Sequence, residues 1–180
     1  GDKKKRTPLM IACLFNHIEV VKILLQRPDL NINKARVNDG VTALITAANK
    51  GHAEIVRLLL SHSDIDINKA KGSGATALFR ASSKGHVKVV RLLVSHSGID
   101  VNKDADADFL DINKVVPSSG ETALIVASAK GHVKVMQLLL SHKDIDSNIA
   151  RTDGATGLII ASQKGNVEAV RLLLTQSEID

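Results

Sequence analysis

The sequence has no tryptophan and no tyrosine, and phenylalanine occurs only at Phe15, Phe79 and Phe109. Any core must therefore be assembled from Leu, Ile, Val and Ala, a set of side chains suited to helix-on-helix packing. A single cysteine, Cys13, excludes an intramolecular disulfide framework, and no Asn-x-Ser/Thr sequon occurs. Together these point to a reducing intracellular compartment, cytoplasmic or nuclear. No apolar run approaches the roughly 20 residues that cross a bilayer, and the first residues lack the apolar stretch of a signal peptide. No membrane association is expected; a targeting segment removed ahead of Gly1 stays open. Concentrated charge is scarce as well. The formal net charge is +5, of which GDKKKR at the start supplies +3, four basic residues less Asp2. The remainder is only mildly basic and offers no long polyanion-binding run.

Aliphatic residues and an internal period are what the sequence does contain. Hydrophobic residues at 44% and charged residues at 24% exclude global disorder. Aligning the segments that begin at Thr7, Thr42, Thr76, Thr122 and Thr156 gives spacings of 35, 34, 46 and 34. Three of the four spacings thus define one unit near 34 residues, and the third in order carries 12 added residues (46 − 34). Units are expected at about 2–36, 37–70, 71–103, 117–150 and 151–180, with an insertion at about 104–116, in one elongated domain spanning 1–180. Ile99-Asp100-Val101-Asn102-Lys103 recurs as Leu110-Asp111-Ile112-Asn113-Lys114, so one copy is expected to occupy the ordinary turn while the other is extruded.

Each unit begins with Thr, whose hydroxyl can accept from a free N–H of the first helical turn. Its first helix is expected to end at Gly51, Gly85, Gly131 or Gly165, or at Asn16 in the first unit. The second helix, such as Ala53-Glu54-Ile55-Val56-Arg57-Leu58-Leu59-Leu60, is apolar except at its second and fifth positions. One partner cannot cover such a helix, so neighbouring units must flank it on both sides. The segments that follow, such as 64–75 and 144–155, read as hairpin-like turns rich in Asp, Asn and Gly.

The string T-[PA]-L-x-x-A-x-x-x-G-H-x-x-x-V-x-L-L-[LV], followed by a D-[IV]-N turn, resembles the ankyrin repeat over nearly the whole chain. The resemblance implies an all-α solenoid of stacked antiparallel helix pairs joined by hairpin-like loops. The family's usual His after Thr-Pro-Leu is replaced by Met10, Ile45, Phe79, Ile125 and Ile159, which implies apolar packing there. The resemblance also implies recognition of a partner protein on a concave surface of turn tips and first helices. The variable positions of the family map onto Asp39, Val41, Asn49, Lys50, Ser83, Lys84, Glu121, Lys130, Asp153, Gln163 and Lys164.

Two departures from the pattern add candidates. Arg80 stands where other units have Ile11, Thr46, Val126 and Ile160, and Phe79 beside it is the one aromatic in its column. Leu14 and Phe15 replace the polar pairs found elsewhere, and Phe109 is a candidate contact in the inserted segment. Lys50, Lys84, Lys130 and Lys164 recur before each helix-ending glycine. They either form a positive row that favours an acidic partner or simply complement the helix dipole.

Catalytic and metal chemistry are not expected. Seven histidines fall into two one-per-unit ladders whose members stand too far apart, at the packing distance of helices, to share one metal. Asp104, Asp106 and Asp108 resemble the start of a calcium loop, but Phe109 and Val115 stand where Gly and a bidentate Glu are required. The stretch 71–76 lacks the spacing of a P-loop, and Cys13 aligns with Ala48, Ser82, Ser128 and Ser162 as a small packed residue. No cofactor is implied. Two other functions stay open: binding of an anionic polymer such as nucleic acid through Lys3, Lys4, Lys5, Arg6, Lys88, Arg91 and Lys134, and service as the targeting segment of a larger enzyme. The absence of stacking aromatics counts against nucleic acid. Val167, Ala169, Val170, Leu172, Leu173 and Leu174 keep the internal apolar pattern, so the array is expected to continue or to have its ends covered.

Overall fold

The computed structural model describes residues 6–96 and 110–176. Helices come in pairs: α1 (Pro8–Leu14) with α2 (Ile18–Leu25), α3 (Ala43–Lys50) with α4 (Ala53–Leu60), α5 (Ala77–Lys84) with α6 (Val87–His96), α7 (Ala123–Lys130) with α8 (Val133–Leu140), and α9 (Gly157–Gln163) with α10 (Val167–Leu173). First helices pack on first helices of adjacent units and second on second, giving a two-layer stack with one continuous aliphatic core.

The local signals act as their chemistry requires. Thr7, Thr42, Thr76 and Thr122 each accept from the backbone N–H three residues on at 3.2 Å, and Thr156 does so at 3.4 Å. Gly51, Gly85 and Gly131 close the first helices in the left-handed region, and Asn16 adopts the same conformation at φ 59°. The internal second helices bury most of their apolar positions, and charged pairs stand exposed: Glu19–Lys22 are 2.8 Å apart, Glu54–Arg57 3.6 Å and Glu168–Arg171 3.7 Å. These exposed pairs contribute little to stability.

Second helices end without glycine, and after α4 and α8 a histidine turn replaces it. After α4 the Ser61 hydroxyl donates to the Leu58 carbonyl, and Nδ1 of His62 accepts from the Asp64 N–H at 3.2 Å. Ser141, His142 and Asp144 repeat this after α8. The other histidine ladder reaches backward along the stack. The His86 ring covers Gly51 and bonds through Nε2 to the Asn49 carbonyl, the His132 ring covers Gly85, and Asn166 covers Gly131 while donating to the Ser128 carbonyl. Both ladders therefore make structural hydrogen bonds and packing contacts. Among the described residues no three His, Cys, Asp or Glu side chains converge as a ligand group.

A third ladder, of asparagines, joins the turns and corrects the expected limits of the insertion. Asn33 donates to the Asp64 carbonyl and accepts from the Asp66 N–H, and Asn113 does the same with Asp144 and Asp146. Between them, Asn68 accepts from the Asp111 N–H at 2.8 Å. The copy Leu110–Lys114 thus occupies the ordinary turn, with Leu110, Ile112 and Val116 buried. Residues 110–116, placed by sequence in the insertion, belong to the stack. His62 and Ile65 are three residues apart and their counterparts His96 and Leu110 fourteen, so eleven of the twelve added residues (14 − 3) fall within 97–109. The calcium-like acidic residues and Phe109 lie outside the described residues.

At the two ends, side chains of the internal pattern meet solvent. Val20 on α2 is 46% exposed, whereas its counterparts Ile55, Val89 and Val135 are fully buried. Val167 on α10 and Leu174 just after it are similarly open. Of the residues replacing the family's His, Met10, Ile45 and Ile125 are buried, Phe79 is half-buried, and Ile159 is exposed because nothing among the described residues packs beyond α9.

Burial of Cys13 within α1 pushes its thiol up to about 12. In the unfolded chain the thiol ionises near its ordinary value of about 8.5 while the folded chain keeps it protonated, so the folded state binds the extra proton and stability falls as pH rises. Between about pH 8 and pH 10 the protein should lose about 1–2 kcal/mol relative to Cys13→Ala, with no divergence below about pH 7. Paired urea titrations check this; parallel pH profiles would contradict it.

Candidate protein-binding surface

The turns and first helices form one side of the stack. Each turn closes on itself through its base residue: the N–H of Arg36, Lys71, Val116 and Arg151 donates to the carbonyl of Val41, Ala75, Glu121 and Ala155, respectively. Successive turns also join tip to tip, with Gly72 N–H donating to Asp39 O at 2.7 Å and Thr152 N–H to Ser119 O at 3.2 Å.

On this side, residues of units one to three line an open cavity of about 320 Å³. Leu14 at the end of α1, Ile45, Thr46, Asn49 and Lys50 of α3, and Arg36, Asp39 and Val41 of the first turn line it. Lys71 of the second turn, Arg80 of α5 and Arg6 before α1 complete it. No second-helix residue contributes. Asp39 is held by Arg36 in a two-point contact, Nε to Oδ1 at 2.7 Å and Nη2 to Oδ2. That guanidinium holds the Asp39 carboxyl below the usual carboxylate range. The ammonium of Lys71 is pushed below its ordinary range, first by burial and then by the charge of Arg80, with Asp39 opposing.

Of the candidate residues, this cavity gathers Asp39, Val41, Asn49, Lys50 and Arg80. Phe79 and Ser83 are half-buried on α5, and Lys84 and Lys130 are the exposed last residues of α5 and α7. Glu121 is half-buried, accepting from the Ser119 hydroxyl at 3.2 Å and lying 3.9 Å from Arg151. Asp153 pairs with Arg151 at 3.1 Å, while Gln163 and Lys164 stand exposed in the last unit. Phe109 lies outside the described residues. Phe15 is exposed, its ring stacked 6.1 Å from that of His17, and it does not line the cavity.

Arg36 and Lys71 were missed by reasoning from sequence, and Arg6 was named only as a contact for an anionic polymer. A signal for the first two was present, because Arg36, Lys71 and Arg151 occupy one column at the base of the turn, broken only by Val116.

Helix pairs stacked through interlocking turns on a 34-residue period define a helical repeat solenoid. The model for ankyrin repeats (3 copies) matches residues 9–105 and 103–180. The chain belongs to the ankyrin repeat family, whose members generally mediate protein–protein interaction and are typically non-catalytic. A comparison with curated proteins gives no match. No helix among the described residues is long and apolar enough to cross a membrane.

Proposed function

We propose that this chain is a non-catalytic scaffold that holds a partner protein with an acidic surface against its first helices and turn tips. The observation that carries this reading is the cavity between units one and three, where side chains from three units converge; on the opposite side α2, α4 and α10 each expose an acid–base pair and α6 and α8 expose bases alone. Preformed backbone in a rigid stack lowers the ordering cost of binding. Lys84 and Lys130 extend the positive character of this side into later units.

The test compares affinity capture by the intact chain, by Lys84→Glu with Lys130→Glu, and by Glu54→Lys with Arg57→Glu on the opposite side. Partners should be lost, with slower and salt-sensitive association, only in the first pair. The melting temperature of that pair should fall modestly, because each lysine also complements a helix dipole by about 0.3–1 kcal/mol. Capture that is unchanged in the first pair but lost in the second would place the binding surface on the other side. Among the described residues no aromatic side chain lines the cavity, so base stacking has no platform there.

A further inference from the structure

Lys71 and Arg80 carry charge that the stack itself does not explain. At the base of the turns, Arg36 is matched by Asp39 and Arg151 by Asp153, each acid three or fewer residues away, so those cations hold their own turns. Lys71 is followed by Gly72, Ser73 and Gly74, so its turn has no such acid. Arg80 lies in a column that is otherwise Ile11, Thr46, Val126 and Ile160. Both departures fall in one unit and both side chains face one cavity. Its charged lining is Arg6, Arg36, Lys50, Lys71 and Arg80 against Asp39 alone, a net of +4 (5 − 1). Since Asp39 is already committed to Arg36, four cations converge without an ion pair among the described residues.

We propose that this cavity accepts the phosphoryl group of a phosphorylated side chain on the partner, with Lys71 and Arg80 as its two principal ligands and Arg6 and Lys50 at the rim. This rests on the reading of the first-helix side as the binding surface. A carboxylate supplies one negative charge, whereas a phosphoryl group supplies about −1.5 to −2 at neutral pH and three acceptor oxygens. Two cations that repel one another are thus satisfied by one phosphoryl group. The guanidinium offers a fork of donors and the ammonium a point charge, a combination suited to a tetrahedral oxyanion. Leu14, Val41 and Ile45 give aliphatic walls against which the carrying side chain and its neighbours can pack. The cluster of cations is local: beyond it Lys84 and Lys130 stand singly, and the turns of later units carry Glu121 and Asp153, which interrupts any track for a polyanion.

The experiment titrates the intact chain, labelled with 15N, with a capped phosphoserine peptide, its serine and glutamate versions, and a single-stranded oligonucleotide. Saturable amide shifts are expected for the phosphoserine peptide, confined to the residues around Asn49, Gly72 and Arg80. Affinity should exceed that of the glutamate peptide about tenfold. Arg80→Ile, which installs the residue found in two other units, and Lys71→Ala should each weaken binding about tenfold with amide spectra otherwise intact. Lys88→Ala with Lys134→Ala, exposed on the second helices α6 and α8, should change it less than twofold. Equal binding of the glutamate peptide, tighter binding of the oligonucleotide, or unchanged affinity in Arg80→Ile would each overturn the proposal. Failure here, with partner capture still lost in the Lys84 and Lys130 charge reversal, removes the phosphoryl site and leaves the scaffold reading standing. Failure of both removes both.

Discussion

Ile112→Ala is expected to lower the unfolding free energy by about 2–5 kcal/mol, the usual cost of truncating a buried aliphatic side chain. Ile112 is 2% exposed and belongs to the copy that fills the turn between the third and fourth units. Asn113→Ala should cost about 1–3 kcal/mol, since its side chain donates to the Asp144 carbonyl at 2.7 Å and accepts from the Asp146 N–H at 3.0 Å. The matching truncations in the other copy, Val101→Ala and Asn102→Ala, should each stay within about 0.5 kcal/mol, because the turn position is already occupied. Removing residues 99–109, eleven in number, should leave the melting temperature nearly unchanged, since loop closure entropy varies only logarithmically with length. Urea denaturation of the four point variants checks the assignment. Larger losses at Val101 and Asn102 than at Ile112 and Asn113 would reverse it.

Gly120→Ala is expected to cost about 3 kcal/mol, more than a left-handed backbone alone accounts for. Gly120 has φ +70°, and a Cβ there would stand 2.7 Å from the nitrogen of Thr152 and 2.8 Å from Cα of Arg151. Both are main-chain atoms of the next turn, so relief requires moving that turn and stretching the bond from Thr152 to Ser119. Gly154 is the control. Its φ is +81°, but an added Cβ would meet nothing within 4 Å. Gly154→Ala should therefore show only the backbone cost, about 1–2 kcal/mol. The difference between the two variants measures how much the tip-to-tip contact contributes, and equal losses would mean that it contributes nothing.

Period, helix pairing and the ends of the first helices followed from residues whose roles are local. Thr42 caps α3 and Gly51 closes it through their own backbone, so spacing along the chain was enough to place them. The choice between Ile99–Lys103 and Leu110–Lys114 was beyond such reasoning, because the two copies present nearly the same pattern of apolar, acidic and amide side chains. Contacts from neighbouring turns decide it, through Asn68 and Asn113. The cavity was hidden for a related reason. Arg6, Arg36, Lys71 and Arg80 are far apart in sequence and meet only when three units stack. Arg80 could be singled out because its column is otherwise uncharged, whereas Lys71 looked ordinary until its turn was compared with those of Arg36 and Arg151. His62 shows a third kind of difficulty: a residue named for its place in a ladder turned out to end a helix that lacks the customary glycine.

The asparagine ladder addresses only main-chain atoms. Asn33 reads the carbonyl of Asp64 and the N–H of Asp66, and Asn113 reads those of Asp144 and Asp146, whatever side chains those positions carry. At this point the asparagine places no constraint on the neighbour's side chains, and the constraint between units lies instead in the shared core and in glycines such as Gly51 and Gly120 that lie under the next unit. In genetic terms, units that keep that core and those glycines are interchangeable cassettes. Unequal recombination can copy, drop or reorder them, and a duplicated turn can be carried beside the original without loss of register. Selection is then free to act on the side chains at the turn tips and first helices, and a recognition surface can change composition unit by unit while the joints that carry it stay the same.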